Sequence, residues 1–230
     1  MKKFYTTVGI FKLKNKEQNN MYPVVILGGN ECKLDVQEML IWTALNWRVL
    51  NKERLYTYYE SQEKKTDAIY SRSFTDALNR LIVRGLVAEG VGETDEEALY
   101  NLISRLYIIP LYQSNPIKII SFLRLVFVFK MPFKKAKILF KRDKKSNDEK
   151  RIMKLAFSAP MSTAELIKCV DKNIKCILCE DDVVEFLYDE SDITCDNIAD
   201  YVHDSPATRS VITSILNLYL RQQILFERVA

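Results

Sequence analysis

Ser71-Arg72-Ser73-Phe74-Thr75-Asp76-Ala77-Leu78-Asn79-Arg80-Leu81-Ile82-Val83-Arg84-Gly85-Leu86-Val87 is the stretch whose reading decides the fold. Ser73 and Asp76 have the spacing of a helix cap, because a serine hydroxyl can accept the backbone N–H three residues on. Phe74, Ala77, Leu78, Leu81 and Ile82 follow at i, i+3, i+4, i+7 and i+8, one continuous apolar stripe. Gly85 stands where a helix should stop, since glycine enters the left-handed region without a Cβ clash. Leu86-Val87-Ala88 reads as a short strand and Glu89-Gly90-Val91-Gly92 as its turn. This succession predicts a helix that packs by one face and offers the other to solvent.

Upstream, a helix from about Lys52 to Glu60 carries Leu55, Tyr58 and Tyr59 on one side. Asp35 and Glu38 have capping-box spacing and open a helix bearing Val36, Met39, Leu40, Thr43, Ala44 and Trp47. Residues 4–13 and 22–27 are β-branched and aromatic and predict an N-terminal hairpin, with Gly28-Gly29-Asn30 ending its second strand. Downstream, Thr94 and Glu97 cap a helix with Ala98, Leu99, Leu102, Ile103 and Leu106 on one face, and Tyr107-Ile108-Ile109 reads as a returning strand closed by Pro110. A linking helix is expected over 117–130.

The second half repeats this grammar. Helices are expected over 148–157, 181–189 and 194–202, and Ser162 with Glu165 caps another before Leu166, Ile167 and Val170. Ser205 as N-cap and Pro206 at the first helical position predict the start of a last helix with Val211, Ile212, Ile215, Leu216 and Tyr219 inward. Ile224-Leu225-Phe226 reads as a terminal strand. With only 6 Gly and 6 Pro in 230 residues, a turn-rich sandwich or barrel is disfavoured. The expected class is mainly α with small β-hairpins, α+β.

The run ending Leu81-x-x-x-Gly85-Leu86-Val87, taken with residues 35–92, resembles the helix-turn-helix and wing entry of winged-helix DNA-binding regulators. Residues 198–226 resemble a second such unit. The resemblance implies two winged helix-turn-helix units: 1–115 with the hairpin, a basic helical linker over 116–146, and 147–230. It also implies that the third helix of a unit enters the major groove. In the first unit Arg72, Ser73, Thr75, Asn79 and Arg80 would then meet DNA, beside Asp76, whose carboxylate phosphate repels. In the second the corresponding residues are Thr208, Arg209, Thr213 and Asn217. Arginine reads guanine bidentately, asparagine reads adenine, and hydroxyls bond phosphate or base, so the residue types suit the task.

Charge distribution qualifies this. The net charge of +4 is mild. Residues 124–154 hold twelve Lys or Arg against three acids, with Phe127, Phe129, Phe133 and Phe140 interleaved, whereas 180–196 hold eight acids and no base. Asp196, Asp200 and Asp204 precede the second reading helix and oppose phosphate there. The five cysteines, in a chain read as cytoplasmic with no secretory signal and no uncharged apolar run long enough to span a membrane, are expected reduced. Cys176 and Cys179 form a CxxC flanked by Cys169 and Cys195, but a second close pair is missing and His203 is the sole histidine, so the set is a weak zinc candidate.

No phosphate loop, EF-hand spacing or nucleophile–base pair is present. The expected function is therefore a non-enzymatic transcriptional regulator without cofactor, homodimeric, with double-stranded DNA as partner. Two alternatives stand beside it. A hairpin ahead of a winged helix is also similar to small peptide-recognition modules, in which a peptide adds a strand to an exposed sheet edge. The cysteine group would instead make a metal or redox sensor.

Overall fold

Four strands open the chain where two were expected. In the computed structural model, which describes residues 1–16, 20–65, 72–111, 144–189 and 192–228, the expected strand over 4–13 is broken at Val8-Gly9 into β1 (Lys2–Thr7) and β2 (Ile10–Lys16). Gly9 makes the break possible. Its φ is +89°, and a Cβ there would lie 2.5 Å from the Ile26 carbonyl oxygen. β2 then pairs with β3 (Asn20–Leu27), and Gly28-Gly29 turns the chain into β4 (Asn30–Lys33), giving an antiparallel sheet in the order β2-β3-β4. The expected linker helix over 117–130 lies outside the described residues.

Each helix of the first half begins at a side-chain cap, three of them expected from the sequence and Asn51 not. Asp35 closes a full capping box on α1 (Val36–Leu45), Asn51 caps α2 (Lys52–Glu63), Ser73 caps α3 (Phe74–Val83) and Thr94 caps α4 (Asp95–Ile103). Gly85 ends α3 at φ +72°. The stretch Glu89–Gly92, expected as a turn, belongs instead to β5 (Val87–Gly92), which is antiparallel to β1 from Thr7↔Val87 to Lys2↔Gly92. On its other side β1 meets Leu50 in a bridge to Tyr5.

In the second half, α5 (Asn147–Ser158) and α6 (Thr163–Asp171) carry capping boxes at Ser146 with Glu149 and at Ser162 with Glu165. α7 (Glu180–Leu187), α8 (Ile198–Tyr201) and α9 (Thr208–Leu220) follow. The expected start of α9 at Ser205-Pro206 is a correction: the helix begins at Thr208 after Ala207, without a side-chain cap. The Ser205 hydroxyl accepts the Ala207 N–H in a short turn, and the Thr208 hydroxyl donates to the Val202 carbonyl.

A third sheet, in the order β7-β6-β8, joins β6 (Tyr107–Pro110), β7 (Met161–Ser162) and β8 (Ile224–Glu227). Its topology repeats that of β1 and β5. In each case the strand earliest in the chain lies in the middle. Leu50 or β7, between the first and second helices, flanks it on one side, and β5 or β8, after the last helix, flanks it on the other. β6 therefore belongs with strands beyond the expected linker, although it precedes that linker in the chain.

Two apolar cores result. One gathers Ile41, Trp42, Leu45, Leu55, Tyr59, Leu78 and Leu81 between α1, α2 and α3. The other, around Ile152, Leu166, Ile215, Leu218 and Phe226, also takes in Val8, Ala88, Leu102 and Ile108 from the first half. Tyr219 ties the two together. Its buried hydroxyl lies 3.0 Å from Thr6 Oγ1, 2.8 Å from Thr7 Oγ1 and 3.2 Å from the Trp47 N–H, which donates to it. The mixed architecture matches the expected α+β class.

Candidate nucleic-acid interface

The outward face of α3 is the one the sequence anticipates. Ala77, Leu78 and Leu81 are buried, while Thr75, Asp76, Asn79 and Arg80 are exposed, and Val83 is 87% exposed at the end of the same face. Ser73 acts as the cap: its hydroxyl accepts the Asp76 N–H at 3.1 Å and donates to the Asp76 carboxylate at 2.6 Å. Asp76 thus serves the helix start, which accounts for a carboxylate on this face.

The arginines have carboxylate partners within the chain. Arg72 pairs with the Asp35 carboxylate, while its own carbonyl accepts a hydrogen bond from Gln37. Glu38 is only 1% exposed. One of its oxygens takes the Asp35 N–H and Arg84, at 3.1 and 2.9 Å, and the Arg80 Nε lies 2.9 Å from the other. A buried carboxylate needs such partners, because leaving water uncompensated costs several kcal/mol. Burial pushes Asp35 up, but the Glu38 N–H and Arg72 outweigh it and hold that carboxyl below its usual value. Arg72 and Arg80 therefore spend much of their charge on carboxylates at the start of α1.

The cations that face outward were missed by the sequence reading. Lys52 and Arg54 stand in the first turn of α2, and neither has an ion pair among the described residues. They line a groove of about 560 Å³ with Lys2 and Lys3 at the start of β1. Lys2 is 3.8 Å from Asp95 and Lys3 is 3.1 Å from Glu89. Lys52 and Glu53 also line a neighbouring groove floored by Tyr56, Tyr59 and Phe74 that reaches Arg72, Ser73 and Thr75. One surface thus runs from the strand start over α2 to the N-terminus of α3. Lys52 and Arg54 were within reach of the sequence, since the expected helix begins at about Lys52 and places both in its first turn. Lys2 and Lys3 were not, because only long-range pairing of β1 brings them there.

The second expected reading helix turns its outward side toward α4. Val211, Ile215, Leu218 and Tyr219 of α9 are buried, and its other side forms a groove with α4 floored by Leu99, Ile212 and Leu216. Arg209 pairs with Glu96 across that groove at 2.9 Å, the Thr213 hydroxyl donates to the Arg209 carbonyl, and Asn217 is half-buried. Glu96, Glu97 and Asp204 give the groove an acidic rim.

Of the cysteines, Cys169 is buried and its thiol is pushed up to about 12, by burial first and then by Glu165. Cys176, Cys179 and Cys195 are exposed. Among the described residues no group of three or more His, Cys, Asp or Glu side chains is arranged to hold a metal ion. None of the helices among the described residues is long and apolar enough to cross a membrane. No family model matches the chain, nor does any curated protein or solved structure.

Proposed function

We propose that the chain is a DNA-binding transcriptional regulator built from two winged-helix units, of which the first contacts DNA. The observation that carries this reading is the surface that runs from Lys2 and Lys3 past Lys52 and Arg54 to Ser73 and Thr75 at the start of α3, beside that helix's outward face. Thr75 and Asn79 would meet base edges, while the four cations would meet phosphates on either side. The two-unit reading is supported by a repeated order around each central strand, flanked on one side by the Leu50 bridge or β7 after the first helix and on the other by β5 or β8 after the last. In the second unit α7 and α8 are inserted before the last helix. α9 faces α4 and an acidic rim, so that unit contributes packing rather than base reading. One chain then offers one reading helix, and a paired half-site requires a homodimer.

Selection from a randomised duplex pool, followed by titration over a salt series, tests the proposal. Lys52→Ala with Arg54→Ala should weaken binding to every duplex and flatten the salt dependence by about 0.9 log unit per lost phosphate contact. Asn79→Ala should instead relax preference at one base pair, worth about 1–3 kcal/mol. Arg72→Ala is a poor probe, because Arg72 belongs to the Asp35 pair. No enriched sequence and no salt-dependent affinity for any duplex would overturn the proposal.

A further inference from the structure

We propose that the outer edge of β2 is a docking site for an extended acidic peptide, with apolar side chains alternating between its carboxylates, supplied by a partner protein. In the order β2-β3-β4, β2 has no partner strand on its outer side among the described residues. The register identifies the backbone groups left open. The Leu34 N–H bonds to the Pro23 carbonyl, so the odd-numbered residues of β3 turn toward β4 and Tyr22, Val24 and Ile26 turn toward β2. Their partners Lys14, Lys12 and Ile10 therefore spend their backbone groups inward, leaving those of Phe11 and Leu13 facing out. The Gly9 N–H, in the same phase, already reaches the Phe226 carbonyl, as an outward-facing group should.

The side chains on this edge select the occupant. Phe11 stacks on Trp42 with ring centroids 5.6 Å apart, and Leu13, next on that face, is 57% exposed. Lys12 and Lys14 lie on the opposite face; Lys14 pairs with Glu31, while Lys12 is exposed with no ion pair among the described residues. Lysines on an edge repel a second copy of the same strand, which would set lysine against lysine. They favour a strand with carboxylates on that face and an apolar residue over Leu13. This site is separate from α3 and does not depend on the DNA reading.

The test uses the full chain and a fluorescein-labelled seven-residue peptide alternating Glu and Val, followed by anisotropy. The expected result is saturable, salt-sensitive binding. Replacing Glu by Lys in the peptide, or methylating the backbone nitrogens that face β2, should weaken it at least about tenfold. Lys12→Glu should weaken it similarly and transfer preference to the lysine peptide, leaving affinity for duplex DNA unchanged. In amide exchange, Phe11 and Leu13 should gain protection when peptide is present. No binding at millimolar peptide, or binding indifferent to both the methylated backbone and Lys12→Glu, would overturn the proposal.

Discussion

Removing one oxygen atom from Tyr219 should weaken the junction between the two cores. A phenol hydroxyl has one hydrogen and two acceptor lone pairs, and three groups surround it: Thr6 Oγ1, Thr7 Oγ1 and the Trp47 N–H. Thr6 also reaches the Arg48 carbonyl at 3.0 Å, so its single hydrogen serves either that carbonyl or Tyr219. Trp47 has no such choice. It sits at φ +60°, its N–H points at Tyr219, and Tyr219→Phe would leave that donor unpaired. The ring contacts with Trp47 and Phe226, at 5.5 and 4.5 Å, would survive. The cost is then that of an unsatisfied, partly buried donor plus a lost hydroxyl partner, about 1–3 kcal/mol. For a chain of this size that lowers Tm by on the order of 5 °C. Urea unfolding followed by both tryptophan fluorescence and far-ultraviolet dichroism reads the effect. Trp42 and Trp47 report on the first half, so a weakened junction should separate the two curves. A variant that unfolds within about 0.3 kcal/mol of the parent, with coincident probes, would refute the idea that this hydroxyl couples the halves.

Alkaline pH should destabilise the chain for a related reason. Burial, with Glu89, raises Tyr5; burial, with Asp200, raises Tyr100 to about 12; and burial also raises Tyr219 despite its hydrogen bonds. Each neutral phenol is favoured by folding, so the stabilisation is complete below the unfolded value near 10 and is lost as pH rises above it; stability measured from pH 8 to 11.5 should be flat and then fall. Gly90→Ala should cost about 1–3 kcal/mol or more by overpacking, since a Cβ there would lie 2.2 Å from the Ala98 carbonyl oxygen and 2.5 Å from Leu102; an unchanged urea midpoint would contradict that contact. Thiol titration of the native chain should label Cys176, Cys179 and Cys195 rapidly and Cys169 only on unfolding, because the thiolate is the reactive form; fast labelling of Cys169 would show that its site opens.

Local signals were legible because they act over a few residues. Ser73, Asp35, Thr94 and Ser162 all cap the helices that follow them, and the apolar stripe of α3 is buried as its spacing requires. The signal at Ser205-Pro206 failed because the same residue types also suit a turn, and the Thr208 hydroxyl bonds back to Val202 instead of opening the helix at Pro206. Charge was read less well than helix position. Arg72 and Arg80 lie on or beside the expected face, but nothing in their own segment reveals that Asp35 and Glu38, some forty residues earlier, claim them. Glu38 satisfies a capping box on its own helix and pairs with two arginines of another element, and only the first role has a local spacing.

The central strands explain why the repeat of the two halves was visible only as grammar. β1 and β6 each precede the helices they serve, and each lies between a terminal strand and a shorter pairing, the Leu50 bridge or β7, far along the chain. A strand read alone pairs by default with its nearest neighbour, which is why residues 4–13 looked like one arm of a hairpin. Gly9 lets the chain use both options: the residues before it complete the sheet beside α3, and those after it build a separate sheet whose outer strand stays open. The two proposed contacts follow from that division. β1 brings Lys2 and Lys3 to the α2–α3 surface, while β2 carries Lys12 and Lys14 to an edge that faces a different partner. A substitution at Gly9 should therefore affect both activities together, because a side chain at φ +89° is strained and would meet the Ile26 carbonyl at 2.5 Å. Lys52→Ala and Lys12→Glu should affect one each. If Gly9→Ala left the fold intact and both affinities at their parent values, the break in the strand would not be what positions either surface.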